Sequence, residues 1–161
     1  ERRGEAGLAD AVRFVRDFDG AHDGLIRGAL LPARIATNTL DVLRRTRVYS
    51  DELGCPVRLH AAQGKREVSF LRAWYGKRPL ELLDEIGLLG PHILIPHATT
   101  LGAGEAAAEA ERDLERLRDH GTSVIHCPLI STGTAKSWTR STATAGSAST
   151  SRSAPTPSRR T

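Results

Sequence analysis

Val57-Arg58-Leu59-His60-Ala61-Ala62-Gln63 is the stretch on which the fold turns. A β-prone run, 56–59, stops at a histidine. Two small residues and an amide follow, and a helical pattern begins directly after them. Strand residues that end at a polar group and lead straight into a helix describe the top of a βα unit. Two further segments share the design: Ile93-Leu94-Ile95-Pro96-His97 and Ser123-Val124-Ile125-His126-Cys127-Pro128. Each delivers a histidine at its C-terminal end. In a parallel α/β barrel those ends share one face, and chemistry sits there.

Outward from these strands the chain reads as alternating elements. Residues 25–31 read as a buried strand closed by Pro32. Thr39 is the expected N-cap of a helix over 40–53, which Gly54 ends. A helix over 65–75 follows on the pattern Val68, Leu71, Ala73, Trp74, closed by Gly76. Pro79 opens another, with Leu80, Leu82, Leu83 and Ile86 inward and Gly87 as its stop. A helix over 106–119 keeps Leu114 and Leu117 on its buried side, and Gly121 turns the chain into the strand at Ser123. Upstream, Leu8, Ala11, Val12, Val15 and Phe18 make 7–18 an amphipathic helix, followed by a turn cluster from Asp19-Gly20 to Asp23-Gly24. The four strands start near 25, 57, 93 and 123, in steps of 32, 36 and 30 residues that each hold a helix. That is the βαβ rhythm of a parallel sheet. A closed barrel needs about 250 residues. The patterned body, 1–130, has about half of that, so the expectation is a small open sheet or part of a barrel.

Composition narrows the class. At 161 residues the chain fits one ordinary domain. It holds no Met and starts at Glu1, so an initiating residue is expected to be missing. No secretory signal pattern or membrane-length apolar run is visible. Cys55 and Cys127 stand in no metal-type spacing, which makes a reduced, cytoplasmic setting the default. The net charge of +4 misleads, because Lys136, Arg140, Arg152, Arg159 and Arg160 lie in a tail without acids. Removing those five leaves 18 basic against 19 acidic side chains in 1–130. The body therefore gives no electrostatic case for a nucleic-acid or membrane partner. The tail, 131–161, holds eight Ser and eight Thr and no Ile, Leu, Val, Phe or Tyr. It cannot bury enough apolar area to offset its ordering entropy and is expected to be disordered.

The strand-end residues each have two readings. His60 and His97 are divalent-metal ligands or general bases, or else core-edge histidines bonded to backbone. His126 beside Cys127 is a weaker ligand candidate, because that adjacency has no ligand geometry of its own, or else a satisfied histidine behind the site. Gln63 aims an amide at a substrate or water, or is an exposed loop amide. His22, His92 and His120 fall in turns or at helix ends and are expected in solvent.

At this point the residues carry a resemblance. Leu59-His60-Ala61-Ala62-Gln63 and the helix after it, Tyr75-Gly76-Lys77-Arg78-Pro79, Ile86-Gly87-Leu88-Leu89-Gly90-Pro91, the His97 strand and Val124-Ile125-His126-Cys127-Pro128 look like the middle of a metal-dependent amidohydrolase, nearest the cytosine deaminase-like and chlorohydrolase-like branch. The ordered series reaches from about residue 20 to about residue 128. The resemblance implies a (β/α)₈ barrel with one or two metals at the C-terminal face, zinc or in some members iron. It implies attack of metal-bound hydroxide on a C–N or similar carbon of a small heterocyclic or amide-like molecule. Carried over, His60 matches the fifth-strand ligand. His97 matches the sixth-strand histidine, which binds metal or orients the reacting groups. His126 and Gln63 fall beside the substrate.

Three departures accompany it. No His-x-His pair of the first strand occurs. Gln63 stands where deaminase-type relatives have Glu, and an amide cannot shuttle a proton. No Gly-Thr-Asp or Gly-Ser-Asp of the eighth strand follows Pro128. Read one base out of register, with synonymous codons chosen GC-rich, 137–161 can encode an amphipathic helix, a glycine turn and an apolar strand ending in Gly-Thr-Asp over Ala154, Pro155 and Thr156. A frameshift between Pro128 and Thr134 is thus expected. The chain by itself is expected to be inactive, with an incomplete metal site and a small-molecule substrate class. The competing reading is a non-catalytic α/β module whose basic tail binds an acidic partner.

Overall fold

The computed structural model describes residues 2–101 and 107–127. The tail lies outside them, as does the position of the latent Gly-Thr-Asp. Within the described residues the chain is α/β: α1 (Arg2–Phe18), a short 3₁₀ turn (Ile35–Thr37), α2 (Leu40–Leu53), β1 (Val57–Arg58), α3 (Lys65–Tyr75), α4 (Pro79–Glu85), β2 (Ile93–Pro96), α5 (Ala107–Asp119) and β3 (Ser123–Ile125). The strands form one sheet in the order β1-β2-β3, parallel throughout, with Val57 opposite Ile93 and Leu94 opposite Ser123.

Local chemistry explains the boundaries. Thr39 caps α2 by accepting from the Val42 amide at 3.3 Å, and Gly54 ends it in the left-handed region at φ 62°. Gly76 closes α3 at φ 66°. Pro79 starts α4, and Leu80, Leu82, Leu83 and Ile86 all turn inward. The central strand β2 is covered on both faces. Ile93 and Ile95 are fully buried against Val57, Leu59, Leu30 and Leu43, as a parallel sheet between helices requires.

Four expectations needed correcting. Residues 25–31 are not a buried strand: Leu25 is 85% exposed and Leu31 52%. The ladder instead touches 30–34, through isolated parallel bridges Leu30–Val57 and Arg34–His60. Four steps on one side face three on the other, so the edge carries a bulge, with Ala33 at φ 59°. Upstream of Leu30, the Gly28 amide donates to Asp19 Oδ1 at 2.7 Å, so a side chain takes the place of a ladder partner. Pro32 has no N–H to give. The second and third corrections are Phe18 and Trp74, both expected inward. They are 45% and 72% exposed and meet Phe14 and Phe70 at tilted ring angles on outer helix faces, and Ala73 beside Trp74 is exposed with it. The fourth concerns α5, where Asp113 rather than Leu114 joins Leu117 inside. Arg78 Nη2 meets the Asp113 carboxylate at 2.9 Å, a paired charge that α5 must bury.

Candidate functional site

The C-terminal ends of β1 and β2 bring two of the expected residues together. The His60 amide and its ring Nδ1 both donate to the Ala33 carbonyl, at 2.9 Å each. A carbonyl only accepts, so Nδ1 carries a proton, and in the neutral ring Nε2 is the nitrogen with the free lone pair. A backbone acceptor behind one ring nitrogen is the arrangement that orients metal-binding histidines. His97 follows β2, is buried, and gives its amide to the Ile125 carbonyl at 2.9 Å. Burial, reinforced by the neighbouring His60, Arg34 and Arg58, pushes its imidazole below the usual histidine range, so it is neutral at pH 7. The two rings lie 5.4 Å apart between centres with 26° between their planes. An ion about 2.0–2.1 Å from one nitrogen of each ring would set their centres roughly 5 Å apart. That separation is compatible with both rings facing one ion. Among the described residues no group of three or more His, Cys, Asp or Glu is disposed to hold an ion.

Gln63 also reaches this rim. Its Oε1 accepts from Arg34 Nη1 at 2.8 Å, and its carbonyl accepts from Thr99 Oγ1 at 2.8 Å. His126 lies just past β3, exposed, one residue beyond the Ile125 carbonyl that holds His97. His22, His92 and His120 are exposed as expected, and His120 Nε2 meets Asp84 at 2.9 Å. A cleft of about 290 Å³ opens between α1, α2 and residues 30–33, but its lining includes neither His60 nor His97.

The rim is strained. Ala33, Ala62, His97 and Ala98 have φ of 59°, 53°, 73° and 43°. Such conformations cost on the order of 1–3 kcal/mol each and persist where surroundings impose them. One of the imposing residues escaped the sequence reading. Glu67, in the first turn of α3, accepts from the Ala62 amide at 2.6 Å and from the Gln63 amide. Burial, against these two bonds and Arg34, pushes its carboxyl up to about 7. The available signal was an acid at the third helical position after Gly64, from which a side chain reaches back to preceding amides.

The amidohydrolase family model matches residues 1–139, further at both ends than the stretch quoted above. The 5'-deoxyadenosine deaminase of Methanopyrus kandleri is 33% identical over 129 residues, which is 80% of this chain and 28% of that protein. The 5-methylthioadenosine/S-adenosylhomocysteine deaminase of Natronomonas pharaonis is 31% identical over 128 residues, again 80% of this chain and 28% of the relative. The chain thus spans little more than a quarter of the length of these relatives. An adenosine deaminase from Xanthomonas campestris, solved with bound zinc, superposes with a TM-score of 0.67 at 30% identity, over 80% of this chain and 27% of that one. A triazine hydrolase variant superposes with a TM-score of 0.66 at 13% identity, over 78% of this chain and 26% of its own, a likeness of fold alone.

Proposed function

Because this chain belongs to the amidohydrolase family, we propose that it supplies part of the catalytic face of a metal-dependent hydrolase of C–N bonds in a small molecule. The deaminases among its relatives favour an amino-substituted heterocycle of the adenosine-derivative class as substrate. The architecture we assign is roughly the fourth to seventh strands of a (β/α)₈ barrel, with residues 30–34 and β3 as the edges where the barrel continues. We assign no nucleic-acid or membrane partner and a cytoplasmic setting. Among the described residues no helix is long and apolar enough to cross a membrane.

The observation that carries this reading is the His60–His97 pair at the ends of adjacent parallel strands, rings 5.4 Å apart, with His60 Nδ1 tied back to Ala33. In this reading His60 Nε2 and the His97 imidazole hold a divalent metal, zinc or iron. When bound, that ion acidifies a water and polarises the carbon under attack. His97, neutral and buried, orients the reacting groups. Gln63, steadied by Arg34, and His126 contact the substrate. The Gln63 amide would orient the substrate without carrying a proton, since an amide is no base at this pH.

The test is completion. Titrated alone with Zn²⁺ by calorimetry, the chain should show no stoichiometric site at micromolar affinity, since two imidazoles are one or two ligands short. Residues 20–128 should then replace the matching segment of the Methanopyrus deaminase, with zinc content and ammonia release from 5'-deoxyadenosine measured. His60→Ala in that chimaera should remove metal and turnover together. Full metal and turnover in the His60→Ala chimaera would reject His60 as a ligand.

A further inference from the structure

We propose that Glu67 is a positioning residue: its carboxyl group seats the Ala62-Gln63 turn and so fixes how His60 and the Gln63 amide face across the strand ends. Three observations converge on that turn. Ala62 is buried and held at φ 53°, a conformation alanine does not choose freely. From the α3 side, Glu67 accepts the Ala62 amide at 2.6 Å and the Gln63 amide as well. From the opposite side, the Ala62 carbonyl accepts the Thr100 amide at 2.8 Å, and the Gln63 carbonyl accepts the Thr99 hydroxyl at 2.8 Å. The turn after His60 is therefore clamped between α3 and the loop after His97. That turn, braced by the half-buried Glu67 carboxyl, links the two histidine-bearing strand ends. In this arrangement Glu67 Oε1 is taken up by the Ala62 amide, which suits it to hold the turn.

The groups around Glu67 leave its charge largely unanswered. Arg34 reaches it from the 30–34 edge. On its own helix, Lys65 and Arg66 are exposed. From α4, packed against α3, Arg78 is engaged with Asp113, Glu81 and Glu85 with Lys77, and Asp84 with His120. Opening the turn would expose the carboxyl to water and let it ionise more readily. Closure is therefore favoured while Glu67 keeps its proton.

The consequence for catalysis rests on the hydrolase reading above; the geometry does not, and it can be measured without metal. The experiment uses the full ¹⁵N-labelled chain, metal-free, as wild type, Glu67→Gln, Glu67→Asp and Glu67→Ala. Nuclear magnetic resonance would follow hydrogen exchange at the Ala62 and Gln63 amides and the His60 ring Nδ1–H. Glu67→Gln keeps an acceptor at the same reach and should hold both amides within about threefold of wild type. Glu67→Asp, one methylene short, and Glu67→Ala should lose tenfold or more of that protection and weaken the Nδ1–H signal. In wild type, protection corrected for intrinsic exchange should fall as pH rises towards neutrality, while Glu67→Gln should be flat. Wild-type protection and His60 signal in Glu67→Asp would overturn the proposal, as would a Glu67→Gln chain that loses both or keeps the wild-type pH profile. Should Glu67→Ala fail to fold, the Gln–Asp contrast decides. A failure of zinc binding in the completed enzyme would leave this result untouched and count only against the hydrolase reading.

Discussion

Single residues at the strand ends carry opposing energies, and each opposition is measurable. Glu67 has its carboxyl raised from 4.5 to about 7. The folded chain therefore holds this proton over a pH range in which the unfolded chain has released it. Its contribution is full below pH 4.5 and declines as pH rises towards 7, by about 3 kcal/mol in total. Denaturant unfolding at pH 4.5 and pH 8 should show this decline in wild type and a smaller one in Glu67→Gln; equal slopes would place the Glu67 carboxyl in water. The Thr100 hydroxyl oxygen is buried with no hydrogen-bond partner among the described residues. An unmade bond of this kind costs about 1–3 kcal/mol. Thr100→Val keeps the shape and removes the orphan, so its melting temperature should equal or exceed that of wild type. A clear drop would mean that the hydroxyl has found a partner.

At the scale of elements, what was legible followed from local rules. Thr39, Gly54, Gly76, Pro79 and Gly87 each act through their own backbone, through a cap, a left-handed turn or a fixed φ, so helix ends could be read without the fold. The strand 93–96 stood out because burial on two faces leaves an unbroken apolar run, and 123–125 because its β-branched Val124-Ile125 pair follows a glycine turn, although its residues are exposed or half-buried. The edge at 25–34 was misread because its determinant is non-local. The Asp19 carboxylate captures the Gly28 amide nine residues away, which no periodicity reveals. The His60–His97 pairing was legible as two strand ends on one face. The Glu67 clamp depends on a turn shape that the sequence does not spell out. Helix–edge packing adds a test. A Cβ on Gly28 would lie 3.0 Å from Val15 Cγ1 and 3.1 Å from Cγ2, tighter than contacts normally allow. Gly28→Ala should thus push α1 off the edge and cost about 1–3 kcal/mol. Adding Val15→Ala to it should cost less than the two single changes combined, and strict additivity in a double-mutant cycle would show that the contact is not the cause.

At the scale of the whole molecule the decisive feature is that, among the described residues, the sheet is open. Among the described residues β3 pairs only with β2, and its Ile125 is 36% exposed. On the other side, among the described residues, the bulged 30–34 segment pairs only with Val57 and His60, on β1 and just past it. A bulge and Pro32 blunt that second edge, but β3 has neither device. Among the described residues no strand pairs with the far side of its Ser123-Val124-Ile125 run, where Ser123 and Ile125 are exposed. Two open edges of unequal quality predict association through β3 rather than through 30–34. Light scattering of the purified chain should therefore show concentration-dependent self-association. Ile125→Lys puts a charge on the exposed outer strand and should suppress association while leaving the melting temperature within a few degrees. Leu31→Lys, on the already blunted edge, should change association little. If Leu31→Lys protects and Ile125→Lys does not, the barrel's continuation past β3 is covered in some other way, and the assignment of β3 as an open barrel edge fails with it.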